Sequence, residues 1–150
     1  MNIPHHLAAL AATLWVGGLW AIGYLAVPVL FHAQPDKQLA GMLAGQMFMT
    51  IGYVGIICAT YLLLHRLVMS GKAVLRQPLF LVIASMLVIS LVIQFGIQPL
   101  MTELKVQALP LDVMQSALAD RFKLWHGVSS ILYLLESLLG AVLVIKSFHA

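Results

Sequence analysis

Four apolar runs, at residues 7–31, 39–64, 79–101 and 124–145, take up most of the chain. Each is long enough for the roughly 20 residues with which an α-helix crosses a bilayer. Only 9% of the residues are charged and 62% are hydrophobic, against about 25% charged and about 45–50% apolar in soluble domains. The runs leave little else, so the sequence predicts one all-α domain, a polytopic membrane protein with four transmembrane helices in a bundle.

The smaller features fit that frame. The stretch "MNIPHH" carries no Lys or Arg, and the run behind it is far longer than the core of about 7 to 15 residues in a signal peptide, so it reads as a retained first helix. Cys58 is the single cysteine, which excludes a disulfide framework and a CxxC pair. The net charge of +3 comes from scattered basic residues at the ends of the runs, the places of membrane loops, and gives no footprint for nucleic acid.

Four spans put both chain ends on one face, together with Arg66, Lys72, Arg76 and Lys146; Lys37, Lys105, Arg121 and Lys123 fall on the other. Acids offset the second group locally, at Asp36, Glu103, Asp112 and Asp120. The first group sits close to the membrane ends, so the expected orientation has the ends in the cytoplasm.

Before the last run, Leu111, Met114, Leu118, Phe122 and Trp125 recur at helical spacing, with Asp112, Gln115, Asp120 and Lys123 on other faces and Pro110 placed for a first turn. This predicts a short amphipathic helix at the interface; an extension of the last helix packed on its own protein fits the same pattern. In the second run Gly41, Gly45, Gly52 and Ala59 form a seam of small residues, with a GxxxG spacing that lets a neighbouring backbone approach. That neighbour is either another helix of the chain or a second copy, which makes a homo-oligomer one expectation. Pro28 is expected to kink the first helix by freeing the carbonyl of Tyr24.

The last run holds the most polarity. At roughly 100° per residue, His126, Ser129, Ser130, Tyr133, Glu136, Ser137 and Gly140 fall within about a third of the helix circumference. They form one polar face directed at the bundle interior, with leucines over much of the rest. Glu136 lies near the bilayer midplane, about 15 Å from His126. An acid there costs on the order of 2.5–3.5 kcal/mol, and the four runs contain no Lys or Arg to pair with it. Glu136 is therefore expected to be neutral, bonded to groups such as Tyr24, Tyr53 or Gln94, or open to a water-filled cavity.

The histidines sort by depth. His6 and His126 begin helices of opposite direction, so about 30 Å of membrane separates them and they cannot share a metal. His32 and His126 share one face; His5, His6, His65 and His149 share the other. Each face offers ligands at matched depth for a bis-histidine haem or an imidazole-bound copper. His126, His32 and His6 are the candidate ligands.

The pieces "LWVGGLW" and "VPVLF", the glycines from Gly45 onward, and "RFKLWHGVSS" together resemble a family of small bacterial four-helix membrane proteins of unknown function that is related to the eukaryotic transmembrane protein 205. The resemblance implies a four-helix bundle with His126 and Ser129 facing inward, and implies no reaction; Tyr133 stands where the family commonly has an amide, and the expected location is the bacterial inner membrane. A looser similarity, through His6, Trp15, Gly17, Pro28, Phe31 and His32, is to the first helix of HemJ-type haem-synthesis oxidases and to CopD copper-resistance proteins. It implies a haem-binding role for His6 or His5. Val29 replaces the HemJ arginine after the proline, and no lysine stands within a run as a second ligand.

No triad spacing, phosphate loop, zinc motif or dinucleotide fingerprint occurs. An enzyme on this scaffold would be a haem-dependent membrane oxidoreductase. Three functions fit the residues: ligand binding by haem or copper, proton-coupled transport through Glu136, and a non-catalytic membrane partner packing through the glycine seam.

Overall fold

The computed structural model describes residues 3–148 and is helical almost throughout. Helix α1 runs Ile3–Ala21, widens into a π-helical turn at Ile22–Ala26 and continues as Val27–Ala33. Helix α2 is Lys37–Ser70, followed by a 3₁₀ segment at Gly71–Arg76. Helix α3 comprises Pro78–Leu91, a second π-helical turn at Val92–Ile97, and Gln98–Ala108. Helix α4 is Ala119–Phe148. Four helices among the described residues are long and apolar enough to cross a membrane, as the runs predict.

The ends of the helices follow from local chemistry. The Asp36 carboxylate caps α2 by accepting from the backbone N–H groups of Gln38 and Leu39 at 2.9 and 3.1 Å. Lys37 turns back to donate to the last carbonyls of α1, Phe31 O and Gln34 O. Gly71 closes α2 with φ of +63°, a conformation open to glycine at little cost. A π-helical turn stands just before Pro28, and another just before Pro99, each adjusting the hydrogen-bond ladder that a proline interrupts.

The stretch before α4 differs from the amphipathic helix expected there. Residues 109–118 form turns around one 3₁₀ turn, Val113–Gln115, and α4 starts at Ala119. Two side chains capture the backbone: Asp112 accepts from Met114 N at 2.7 Å, and the Ser116 hydroxyl accepts from Leu118 N at 3.1 Å. Such local bonds compete with a helical ladder. Leu118, Phe122 and Trp125 pack on Leu104, Ala108 and Val113, within the chain's own second core, while Leu111 and Met114 are exposed.

Each helix packs on the next in sequence, and α4 closes the ring against α1, giving an antiparallel bundle with short connections. The larger core, around Trp15, Val16, Cys58, Leu62, Ile83, Met86 and Leu143, fills the half nearer the chain ends. Large apolar side chains such as Leu10, Leu25, Ile57, Phe95 and Ile131 point outward. A bilayer is the solvent that makes such a surface stable.

Candidate functional site

Glu136 of α4 lies between Ser90 of α3 and Trp15 of α1, and α2 backs the Trp15 ring. The α4 carboxyl is 3% exposed, and Ser90 of α3 donates to its Oε1 from 2.6 Å. Trp15 of α1, fully buried, faces the same carboxyl, although its indole N–H completes no hydrogen bond. Helix α2 contributes Gly55, where a Cβ would collide with the Trp15 ring. A glycine is what lets the indole lie across α2 at the level of the acid. The Ser137 hydroxyl, next along α4, is also buried without a partner.

Tyr24, Tyr53 and Gln94, the partners expected for Glu136, are engaged elsewhere. Tyr24 packs edge-on against Tyr133 and Tyr53 against Phe95, both half exposed, and Gln94 donates to Met49 O at 3.3 Å. Ser90 was the missed residue. It stands at the centre of the run 79–101, as Glu136 stands near the centre of 124–145, so matching polar residues by depth would have paired them. Trp15 and Gly55 carry no such signal, because their contact depends on the α1/α2 register.

Polar groups continue from Glu136 toward the face opposite the chain ends. Gln94, one turn beyond Ser90, is buried with its amide over Gly52. Tyr133, one turn from Glu136, donates to Leu19 O at 2.6 Å and fits over Gly23, where a Cβ would strike its ring. Near that face the Lys105 ammonium donates to Gly41 O at 3.2 Å, beside Gly45 and 5.5 Å from the Phe122 ring centroid. Thus two glycines of the seam, Gly45 and Gly52, seat polar side chains of α3, whereas Gly41 has nothing within contact of a Cβ. Toward the chain ends the neighbours of this layer are apolar: Met86, Ile83, Leu62 and Leu143.

The polar face of α4 divides along its length. Glu136 and Ser137 are buried, Ser129 and Tyr133 partly so, and His126 and Ser130 are exposed. Ser130 bonds back to His126 O at 2.8 Å, and the His126 imidazole stacks on Phe122. His32 and His6 are exposed at opposite ends of α1. His5 and His65 do approach, with ring centroids 5.4 Å apart. His149 lies outside the described residues. Among those described, no three His, Cys, Asp or Glu side chains gather as a metal-binding group. Two surface concavities, one along Gly17, Trp20, Ala21, Tyr24 and Leu25 and one at Leu100, Glu103, Leu104, Gln107, Arg121 and Trp125, lie away from Glu136. The carboxyl is enclosed in this conformation.

A helical bundle suited to a membrane, with an enclosed acid where its four helices cross, defines the class. Within it the chain belongs to the family described as Domain of unknown function (DUF4149), which matches residues 10–110. The matched region carries Trp15, Gly55, Ser90, Gln94 and Lys105, and Glu136 lies beyond it. No curated protein and no solved structure matches the chain.

Proposed function

We propose that the protein is a proton-coupled integral membrane protein of the transport class, with Glu136 as its proton-binding site. One observation carries the reading: a buried carboxyl receives the Ser90 hydroxyl, and the buried Trp15 indole N–H facing it completes no hydrogen bond. A protonated acid needs only one donor at its carbonyl oxygen. A carboxylate in a dry site needs several; Ser90 already supplies one, and the unpartnered Trp15 N–H is a second at hand when the proton leaves. The site is thereby equipped for both protonation states, which a purely structural acid does not require.

The run of polar groups supports access from one side. Tyr133, Gln94 and Lys105 succeed one another toward the face opposite the chain ends, while the other half is packed with apolar side chains. A proton reaches Glu136 from the Lys105 face, and release to the other face requires the apolar layer of Met86, Ile83, Leu62 and Leu143 to repack. Orientation with the chain ends in the cytoplasm of a bacterial inner membrane puts the Lys105 face outside.

The test uses vesicles containing the full chain and a pH-sensitive dye. Under an imposed membrane potential, wild-type protein is expected to carry protons inward above the rate of protein-free vesicles, and Glu136→Gln to return the rate to that background. Equal flux in wild type and Glu136→Gln, or no flux in wild type, contradicts the reading. A second reading, binding of haem or copper at a bundle end, is favoured by one contact, the approach of His5 and His65.

A further inference from the structure

The register that lays Trp15 across Gly55 brings the start of α1 against the end of α2 ten residues further along each helix. His5 and His65 meet there, with ring centroids 5.4 Å apart and planes at 83°. His65 is partly buried, and its Nε2 atom is fully buried without a hydrogen-bond partner. Buried polar atoms in folded proteins are nearly all partnered, and one left alone is destabilising. Tyr61, one turn earlier on α2, lies at 6.0 Å from the His65 ring and helps hold it.

Two imidazoles that share one metal ion, each at about 2.0–2.1 Å through a nitrogen and at a near-tetrahedral angle, hold their ring centroids roughly 5 Å apart. The observed spacing of 5.4 Å is close to that requirement. We propose that His5 and His65 form a two-imidazole site for a borderline transition-metal dication, Zn²⁺ or Cu²⁺, at the face that carries the chain ends. Neutral imidazole suits both ions, and water completes the coordination. The site rests on the metal reading of the bundle ends and names its ligands. It is independent of the proton reading, because ten residues along either helix put it about 15 Å from the level of Glu136.

The experiment titrates the full chain, purified in detergent and stripped by a chelator, with Cu²⁺ and separately with Zn²⁺. The expected result is one ion per chain and, for Cu²⁺, an electron paramagnetic resonance pattern of two equivalent imidazole nitrogens. Loss of outer-shell partners already weakens metal sites about 10- to 100-fold, so His5→Gln and His65→Gln are each expected to weaken binding at least about tenfold and leave a one-nitrogen pattern. His6→Gln and Glu136→Gln are expected to bind as wild type does. Absence of binding overturns the proposal, as does an unchanged two-nitrogen pattern in His5→Gln or His65→Gln. A loss confined to His6, His32 or His126 variants overturns this pair while leaving metal binding at a bundle end in place. Should a variant fail to fold, protection of wild-type His5 and His65 from diethylpyrocarbonate by Zn²⁺, mapped by mass spectrometry, decides the same question; equal modification with and without Zn²⁺ overturns it.

Discussion

Ser90 and Glu136, on neighbouring helices α3 and α4, share a 2.6 Å hydrogen bond in the buried centre of the bundle. Bonds between membrane helices average about 0.6 kcal/mol and reach about 1.7 kcal/mol. Ser90→Ala is expected to lower stability by an amount within that range, and Glu136→Gln, which keeps an acceptor for Ser90, by less. Combining Ser90→Ala with Glu136→Leu removes both partners, so the double variant should lose less than the sum of the single losses. Unfolding of wild type, Ser90→Ala, Glu136→Leu and the double variant in mixed micelles measures the coupling.

Some glycines seat a neighbouring side chain and others face open space. A Cβ at Gly55 collides with the Trp15 indole and one at Gly23 with the Tyr133 ring, whereas Gly17 and Gly41 have nothing within 4 Å. Gly55→Ala and Gly23→Ala are expected to cost about 1–3 kcal/mol through overpacking, and Gly17→Ala and Gly41→Ala to be near neutral. Gly52→Ala falls between, since it meets the end of the flexible Gln94 side chain. Thermal unfolding in one detergent ranks all five, and a Gly41→Ala variant that changes the oligomeric state in the same detergent marks a contact between copies.

Asp36 and Asp120 are both acids at helix starts, with different work. Asp36 accepts two backbone N–H groups, so Asp36→Ala is expected to cost about 1 kcal/mol. The Asp120 side chain is 99% exposed and pairs with Lys123 only at 3.8 Å, so Asp120→Ala is expected to have no measurable effect. The same unfolding assay separates them.

Tyr133→Phe removes the hydroxyl that bonds Leu19 O at 2.6 Å and keeps the ring contacts with Phe48 and Tyr24. The expected loss is about 0.5–1.5 kcal/mol. If Tyr133 belongs to the route from the Lys105 face, proton flux in vesicles falls in this variant as well, whereas Asp36→Ala, matched to it in stability, retains wild-type flux.

The four spans were legible because bilayer thickness sets a run length that few other structures need. Glu136 was legible for the same reason: an acid near the centre of such a run stands out. What pairs with it was not, since Trp15 and Gly55 come together only through the antiparallel register of α1 and α2, which hydropathy does not encode. The glycine seam was visible as a seam, while its occupants, Gln94 and Lys105, are decided by how α3 settles against α2. Lys105 reads as a loop charge until α3 is seen to run on to Ala108. The pattern Leu111, Met114, Leu118 looked helical, but Asp112 and Ser116 bind the backbone there, and local hydrogen bonds outweighed apolar spacing.

Proton binding by the protein centres on exchange at Glu136. Infrared difference spectroscopy of the full chain in lipid, recorded across pH for wild type and Glu136→Gln, tests it directly. Expected is a protonated-carboxyl stretching band that disappears as pH rises, is replaced by carboxylate bands, and is absent from Glu136→Gln at every pH. A Glu136 band that persists unchanged over the whole range in which the protein stays folded would contradict it and leave the acid as a structural hydrogen bond between α3 and α4.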